Sequence, residues 1–346
     1  MILLLFLLLL MIACLLIWYF LFPVRYVPRA KPSKNLVEPP DLFVYSFVIH
    51  IHTQFSFDSL GKPEDLLTAL EEKSIDFAIV TDHDNTDIAK FRDKRIIPGK
   101  EVKINDEEGK LLGDLLVAGE LKVIAHHFRE KYRWRLERDE DLIFELIDLR
   151  DALLKSKLRL FLYLLTSIFF IPFARKKAVR GIIRLVDTMY YALRYTGEGW
   201  KNKIVGGHDH HVIFYFRDVK TKVMIPDYRH SFSLMRNLVL TNQKVSGGAE
   251  LTRAIKNGFT LISFSEKNSY VWTEGSTLMA VSPTENTYMA VIKDGNIYEE
   301  ALGSNYSLKS TEKGYYMILG FTYRFRIGRL LFGVRPLFVS DLLEVK

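Results

Sequence analysis

Cysteine is almost absent: the 346 residues hold one, Cys14, inside an apolar stretch. That excludes a disulfide framework and a cysteine-ligated zinc site, and it leaves the redox compartment unread. The amino end lacks charge as well. Residues Ile2 to Phe22 include no Lys, Arg, Asp or Glu. A cleaved signal peptide is therefore disfavoured, since it needs a basic leader and a small-residue cleavage site, and none precedes Phe22-Pro23. With 26% charged and 49% hydrophobic residues the chain is not disordered. Histidine is not plentiful either, at nine residues, yet eight of the nine stand in four tight groups.

Those groups read His50-Ile-His52, Thr81-Asp82-His83-Asp84, Ala125-His126-His127 and Gly207-His208-Asp209-His210-His211, with carboxylates among or between them. Imidazole suits borderline metals and carboxylate the harder ones, so clustering of this kind points to bound metal. His230 stands alone and reads as structural.

The uncharged run from Ile2 to Phe22 has the length of a bilayer span, with Trp18 and Tyr19 suited to an interface. Arg25, Arg29, Lys31 and Lys34 follow it, and positive flanks stay on the cytoplasmic side. The expectation is a single-pass N-terminal transmembrane anchor over 1–22, a Pro-rich tether over 23–40 and a catalytic domain in the cytoplasm. Net charge is +7, and from Arg129 to Arg184 there are 14 Lys/Arg against 8 Asp/Glu. Both basic stretches flank apolar segments, which favours an anionic lipid bilayer over nucleic acid as partner. A second apolar run, Leu160 to Ala174, lies between histidine groups that must share one side of a membrane. A simple second span is thereby excluded, leaving an interfacial helical hairpin or a helix buried on the catalytic domain.

Each histidine group follows a short apolar run: Val44 to Ile49, Phe77 to Val80, Lys122 to Ala125 and Ile204-Val205. Between the first two lies a predicted helix, Pro63 to Lys73, with Leu66, Leu67 and Leu70 on one face. Strand, ligand, helix, strand, ligand is the order by which a barrel of alternating strands and helices gathers a site at its strand ends. In His50-Ile-His52 a period of two puts both imidazoles on one side of a strand.

The strings Ile49-His-Ile-His-Thr-Gln-Phe-Ser-Phe-Asp58, Val80-Thr-Asp-His-Asp-Asn-Thr86, Ile97-Pro-Gly-Lys-Glu101, Ile124-Ala-His-His127 and Gly206-Gly-His-Asp-His-His211 occur in this order. Together they resemble the motifs of the PHP (polymerase and histidinol phosphatase) family, from about Tyr45 to Phe264. The resemblance implies an α/β fold, a distorted (β/α)7 barrel over 41–264, with two or three divalent ions of Mn, Fe or Zn type. His50, His52 and Asp209 would hold one ion with Glu101 bridging. Asp58, His83 and His211 would hold a second, and Glu101 and His126 would contribute to a third. Glu101, Asp209 and His211 are the catalytic candidates. Arg129 is the candidate phosphate ligand, and Asp82 and Asp84 are candidates to orient the histidines.

Three departures from the family pattern stand out. Asp114, in Gly113-Asp114-Leu-Leu-Val-Ala118, occupies the place of an expected histidine and bears on the third ion. His127 replaces a proline and reads as packing. His208 and His210 replace Ser and Ala; they read as groups backing the ligands or as loop side chains, the exposed reading being preferred for His208. Residues 140–200 form a helical, membrane-associated or buried insertion. Residues 265–346 carry short strands separated by turns such as Asp294-Gly295-Asn296, which suggests a small β-sandwich-like module.

The functional expectation is a phosphoesterase with metal-bound hydroxide as nucleophile. Its substrate would be a nucleotide, an oligonucleotide end or a small phosphomonoester, with a lipid or envelope phosphate ester added by the membrane placement. Nucleic acid enters as substrate only. The alternatives are a metal-dependent amide or lactone hydrolase, and a non-catalytic membrane scaffold that keeps the fold.

Overall fold

Pro63 opens the helix Pro63–Lys73 in its first turn, and Ser74 closes it in the left-handed conformation at φ 50°. Its buried Leu66, Ala69 and Leu70 lie on one face and seal the crossover between two parallel strands, Phe43–Ile51 and Phe77–His83. These two strands begin the part of the fold that carries the histidines. The computed structural model describes residues 2–33, 36–168 and 170–346. Lys34, one of the four cations of the basic flank, lies outside the described residues.

The strands Phe43–Ile51, Phe77–His83 and Ile96–Asn105 run parallel. The direction then reverses twice, because Ile96–Asn105, Leu111–Ala118 and Leu121–Ala125 are joined by connections too short for a crossover helix. Parallel pairing resumes through Ile143–Asp148 to Ile204–Gly207. On the other side of Phe43–Ile51 the sheet continues antiparallel through Arg236–Thr241, Phe259–Ser263 and Arg335–Ser340. From there it reaches Gly314–Thr322, Thr287–Lys293, Asn296–Leu302 and Lys31–Pro32.

The chain is thus a mixed α/β protein with one fifteen-stranded sheet and several small sheets. This corrects the expected (β/α)7 barrel with a transmembrane helix and a separate sandwich-like module. The regular alternation fails at the antiparallel meander of residues 96–125. The carboxyl-terminal strands are not a module apart, because Leu261, Ile262 and Ser263 pair with Ser340, Val339 and Phe338 within the same sheet.

The expectation of a single-pass anchor, and with it the membrane placement and the cytoplasmic assignment of the catalytic domain, is also corrected. Among the described residues no helix is long and apolar enough to cross a membrane. The helix Ile2–Leu21 is built into the body at its carboxyl end. Tyr19 is buried and stacks on Tyr163 and Phe170, the Arg184 guanidinium donates to the Tyr19 carbonyl, and Gly333 N–H donates to the Leu21 carbonyl. The segment that follows is tied down as well: Val24–Tyr26 pairs with Leu330–Phe332, and Lys31–Pro32 with Asn296–Leu302.

The sheet curls back on itself. His208 N–H donates to Ile49 O at 3.0 Å, His210 N–H to His50 O at 3.2 Å, and His52 N–H to His210 O at 3.0 Å. The last histidine group therefore lies against the first. Phe47, Ile49, Ile79, Val123, Val205 and Val239 fill the apolar layer enclosed by the curl.

The insertion folds as the helices Leu149–Leu154, Lys157–Ile168, Ile171–Gly181 and Thr188–Gly197. Lys157–Ile168 packs Tyr163 and Thr166 inward and leaves Leu158, Phe161, Leu164 and Ile168 exposed.

Candidate metal centre

Three of the side chains drawn together here, and Asp84 beside them, stand on unusual backbone. His50, Asp84, His126 and Asp209 have positive φ values of 64°, 54°, 54° and 45°. Such conformations are rare for residues with a side chain and cost of order 1–3 kcal/mol each, so surrounding structure must enforce them. At His50 the enforcing device is a bulge: the register between Phe43–Ile51 and Phe77–His83 slips between Ile49 and Ile51. The bulge, rather than simple alternation, re-aims the imidazole, and the His50 and His52 rings end 5.3 Å apart. Near Asp209 the clamp is Asn237. Its side-chain oxygen accepts from Gly206 N–H at 2.7 Å, and its amide donates to Gly206 O at 2.8 Å.

Glu101 is the hub. Its Oε2 lies 3.3 Å from His50 Nε2, 3.2 Å from His52 Nε2 and 3.6 Å from His83 Nδ1, while Oε1 lies 3.4 Å from His126 Nε2. One buried carboxylate thus faces an imidazole from each of the first three histidine groups. Asp209 Oδ1 adds approaches of 3.7 Å to His50 Nε2 and 3.2 Å to His211 Nδ1. On the solvent side Asp58 Oδ2 lies 3.2 Å from His83 Nε2 and 2.9 Å from His211 Nε2.

These contacts resolve into overlapping sets whose donor atoms could hold an ion: His52, Asp58, His83 and His211; His50, His52 and Glu101; His50, His126 and Asp209; and Glu101, Asp114 and His126. All eight residues read as ligands from the sequence converge on this centre, and Asp114 joins it. The donor chemistry fits divalent ions. Neither ring nitrogen of buried His52 has a hydrogen bond, and both buried carboxylate oxygens of Asp114 lack a partner. A cation answers both deficits where a neutral packing arrangement leaves them costly.

Charge compensation in the centre is strong. Burial lowers the His50 imidazole, but the charges of Glu145 and Glu101 outweigh it and hold His50 well above the usual histidine range. Burial raises Glu101, and the charge of His50 together with the His126 and His52 imidazoles beside it brings it well below the carboxylate range. Burial, with His50 and His211 nearby, lowers His52 to about 4. Burial and the neighbouring Glu101 push Asp114 up to about 6. Burial and Asp209 push Asp148 up to about 7.

The other sequence candidates sit around this core. Arg129 is half-exposed, with Nη1 3.4 Å from Asp151 Oδ1. Asp82 gives both oxygens to Thr53, accepting from its N–H at 2.6 Å and its hydroxyl at 2.8 Å, and none to a histidine. Asp84 is exposed, and its N–H donates to the Glu101 carbonyl. His127 packs among Phe128, Phe144 and Trp200 and meets Glu198 at 3.1 Å. His208 and His210 are buried, not exposed loop groups, because the backbone between them pairs with Ile49 to His52.

Glu145, Asp148, Arg150 and Asp151 escaped sequence reading. Glu145 Oε1 meets His50 Nδ1 at 2.7 Å, and its Oε2 accepts from His126 N–H at 2.9 Å. Gly207 makes room for it: a Cβ there would collide with the Glu145 carboxylate. His126 Nδ1 lies 2.7 Å from Asp148 Oδ2 and 3.4 Å from Asp151 Oδ2. Arg150 Nη1 donates to Asp209 Oδ2 at 2.8 Å. The available signal was a pair of carboxylates inside the buried run Ile143-Phe-Glu-Leu-Ile-Asp148, where an ionisable group needs a partner.

A cavity of about 390 Å³ opens beside His126 and Asp148, with Arg129, Arg150, Lys155 and Lys157 in its wall.

No family model matches the chain, and no curated protein matches it. Among solved structures it is similar to a two-domain protein from Bacteroides vulgatus containing a predicted PHP-like metal-dependent phosphoesterase. Identity is 12% over 91% of this chain and 100% of the other, with a TM-score of 0.31. That likeness is too slight to bear on the chemistry, which rests on the residues themselves.

Proposed function

We propose that the chain is a metal-dependent phosphoester hydrolase. The observation that carries the reading is Glu101, one buried carboxylate set among His50, His52, His83 and His126. A carboxylate so placed suits a bridge between adjacent ions. His50, His52 and Asp209 would hold one ion and Asp58, His83 and His211 another, with His126 and Asp114 available to a third. Bound divalent ions would neutralise phosphate oxygens and acidify water near neutral pH.

The chain's own residues supply the rest. Glu145 fixes the His50 ring by a hydrogen bond, and Asp148 and Asp151 set their carboxylates against the His126 ring. Arg150 orients Asp209 and, with Arg129, Lys155 and Lys157, lines the adjoining cavity with positive charge. A wall whose four cations outnumber its carboxylates, Glu145, Asp148 and Asp151, suits a phosphate dianion better than a neutral amide or lactone. Asp148, whose carboxyl is pushed up to about 7 by burial and Asp209, borders the same cavity.

The test is metal analysis of purified protein, followed by turnover of phenyl phosphate, phenyl acetate and a lactone after loading with Mn²⁺ or Zn²⁺. Phosphate turnover that needs metal and is lost in a folded His83→Ala variant supports the reading. Metal-loaded protein that cleaves only the acetate or lactone, or nothing, overturns it.

A further inference from the structure

A second cavity, of about 460 Å³, meets the first along Arg150 and Leu154, which border both. Its character is different. Leu149, Leu153, Leu160, Leu164, Val179 and Ile182 make its walls, and its inner end is formed by Asp209, His210 and His211. The volume lies within the ordinary range of small-molecule sites, roughly 300–1,000 Å³. Leu164 and Ile213 both line it and are more than half exposed, so its outer end is open. The walls come from the helices Leu149–Leu154, Lys157–Ile168 and Ile171–Gly181, so the apolar run at Leu160 to Ala174 builds a surface that holding ions does not require.

An apolar trough ending on Asp209 and His211 is matched by a ligand that is charged at one end and hydrocarbon along the rest. We propose that the substrate is a phosphate monoester of a hydrocarbon-chain alcohol, with its phosphate at the Asp209–His211–Arg150 end and its chain along the apolar cavity. This rests on the phosphoesterase reading and specifies its substrate class. In the reaction, water adds to phosphorus and the P–O bond to the alcohol breaks. One hydrogen of that water ends on the alcohol oxygen, and the rest of it is retained in inorganic phosphate.

The test uses the full-length, metal-loaded protein with ethyl-, hexyl- and decylphosphonate, which carry the same head on chains of increasing length and cannot be hydrolysed. Calorimetry should show Kd falling by at least about twofold for each added methylene, below the roughly fourfold of complete burial. Two variants remove that slope. Leu153→Trp fills the cavity from its wall, and Leu164→Asn places a polar group at its open end, where a fold tolerates one. Both should keep the metal content and the ethylphosphonate affinity of the parent.

A Kd independent of chain length, or a slope unchanged in both variants, overturns the proposal. Phenyl phosphate and decyl phosphate turnover in the same samples separates the two readings. Turnover without a chain-length slope leaves the phosphoesterase standing and removes the chain site. A slope without turnover of either ester leaves an amphiphile-binding site and removes both the phosphoesterase and the substrate assignment.

Discussion

Glu145 Oε1 lies 2.7 Å from His50 Nδ1, with both side chains sealed from solvent. The carboxylate accepts from Nδ1–H and so fixes the ring with Nε2 facing Glu101 and Asp209. A metal-binding histidine depends on this kind of support for both ring orientation and basicity. Glu145→Gln keeps the volume but loses the charge. The variant should bind Mn²⁺ or Zn²⁺ roughly 10–100-fold more weakly while its circular dichroism stays that of the parent. Competition with a coloured chelator measures this, and an unchanged affinity would remove Glu145 from the centre.

The centre has a buried end at His50 and a more open end at Asp58 and His83. Ligands at the two ends should therefore be separable. Asp58→Asn weakens the set formed with His52, His83 and His211 but touches neither His126 nor Asp209. Metal analysis after extensive dialysis should find one ion fewer per chain than in the parent, with at least one retained. Complete loss of metal would mean that the sets are not independent.

Metal uptake should also release protons in a predictable direction. Burial works against the charged form of His50, yet Glu145 and Glu101 raise it well above the usual histidine range. Without metal it therefore carries a proton at neutral pH, and a ligand nitrogen must give that proton up. His52, lowered to about 4, has none to give there. Apparent affinity should rise with pH across the neutral range, by up to about tenfold per unit for each proton displaced, and fall toward acid. Calorimetry in buffers of different ionisation enthalpy reads the proton count directly. An affinity flat in pH would contradict the assignment of His50.

Much of this arrangement was legible in the amino-acid order, but unevenly. The helix Pro63–Lys73 has the predicted bounds, because proline starts it and an apolar face repeats along it. The convergence of His50, His52, Asp58, His83, Glu101, His126, Asp209 and His211 followed from motif order. Glu145 and Asp148 were hidden because a carboxylate in a buried strand earns its place through partners distant in sequence. The bulge at His50 was hidden for a related reason: periodicity describes a regular strand and says nothing of a slipped register. Hydropathy read the first helix by composition alone. The stacking of Tyr19 on Tyr163 and the Arg184 bond to its carbonyl depend on residues far along the chain. The same holds for the pairing of Phe259–Ser263 with Arg335–Ser340, which merged the expected module into the main sheet.

Outside the metal centre, Glu198 ties the insertion to the loop that carries His126. Its Oε1 accepts from Arg194 Nε at 2.8 Å, and its Oε2 meets Trp200 Nε1 and His127 Nε2 at 3.1 Å each. Burial raises this carboxyl, and the bonds from Arg194, Trp200 and His127 outweigh it, lowering it from 4.5 to about 2. The unfolded chain therefore takes up the proton first as pH falls. The contribution of Glu198 to stability is full above about 4.5 and lost as pH falls through about 2. Glu198→Gln removes that pH-dependent part. At neutral pH the variant should be less stable by roughly 1 kcal/mol, a value reduced for partial solvent exposure. Between about pH 4.5 and 2 its Tm should fall less steeply than that of the parent, so the two melting curves converge toward acid. Thermal melts followed across this range test the sign, and parallel acid limbs would show that Glu198 contributes packing rather than charge.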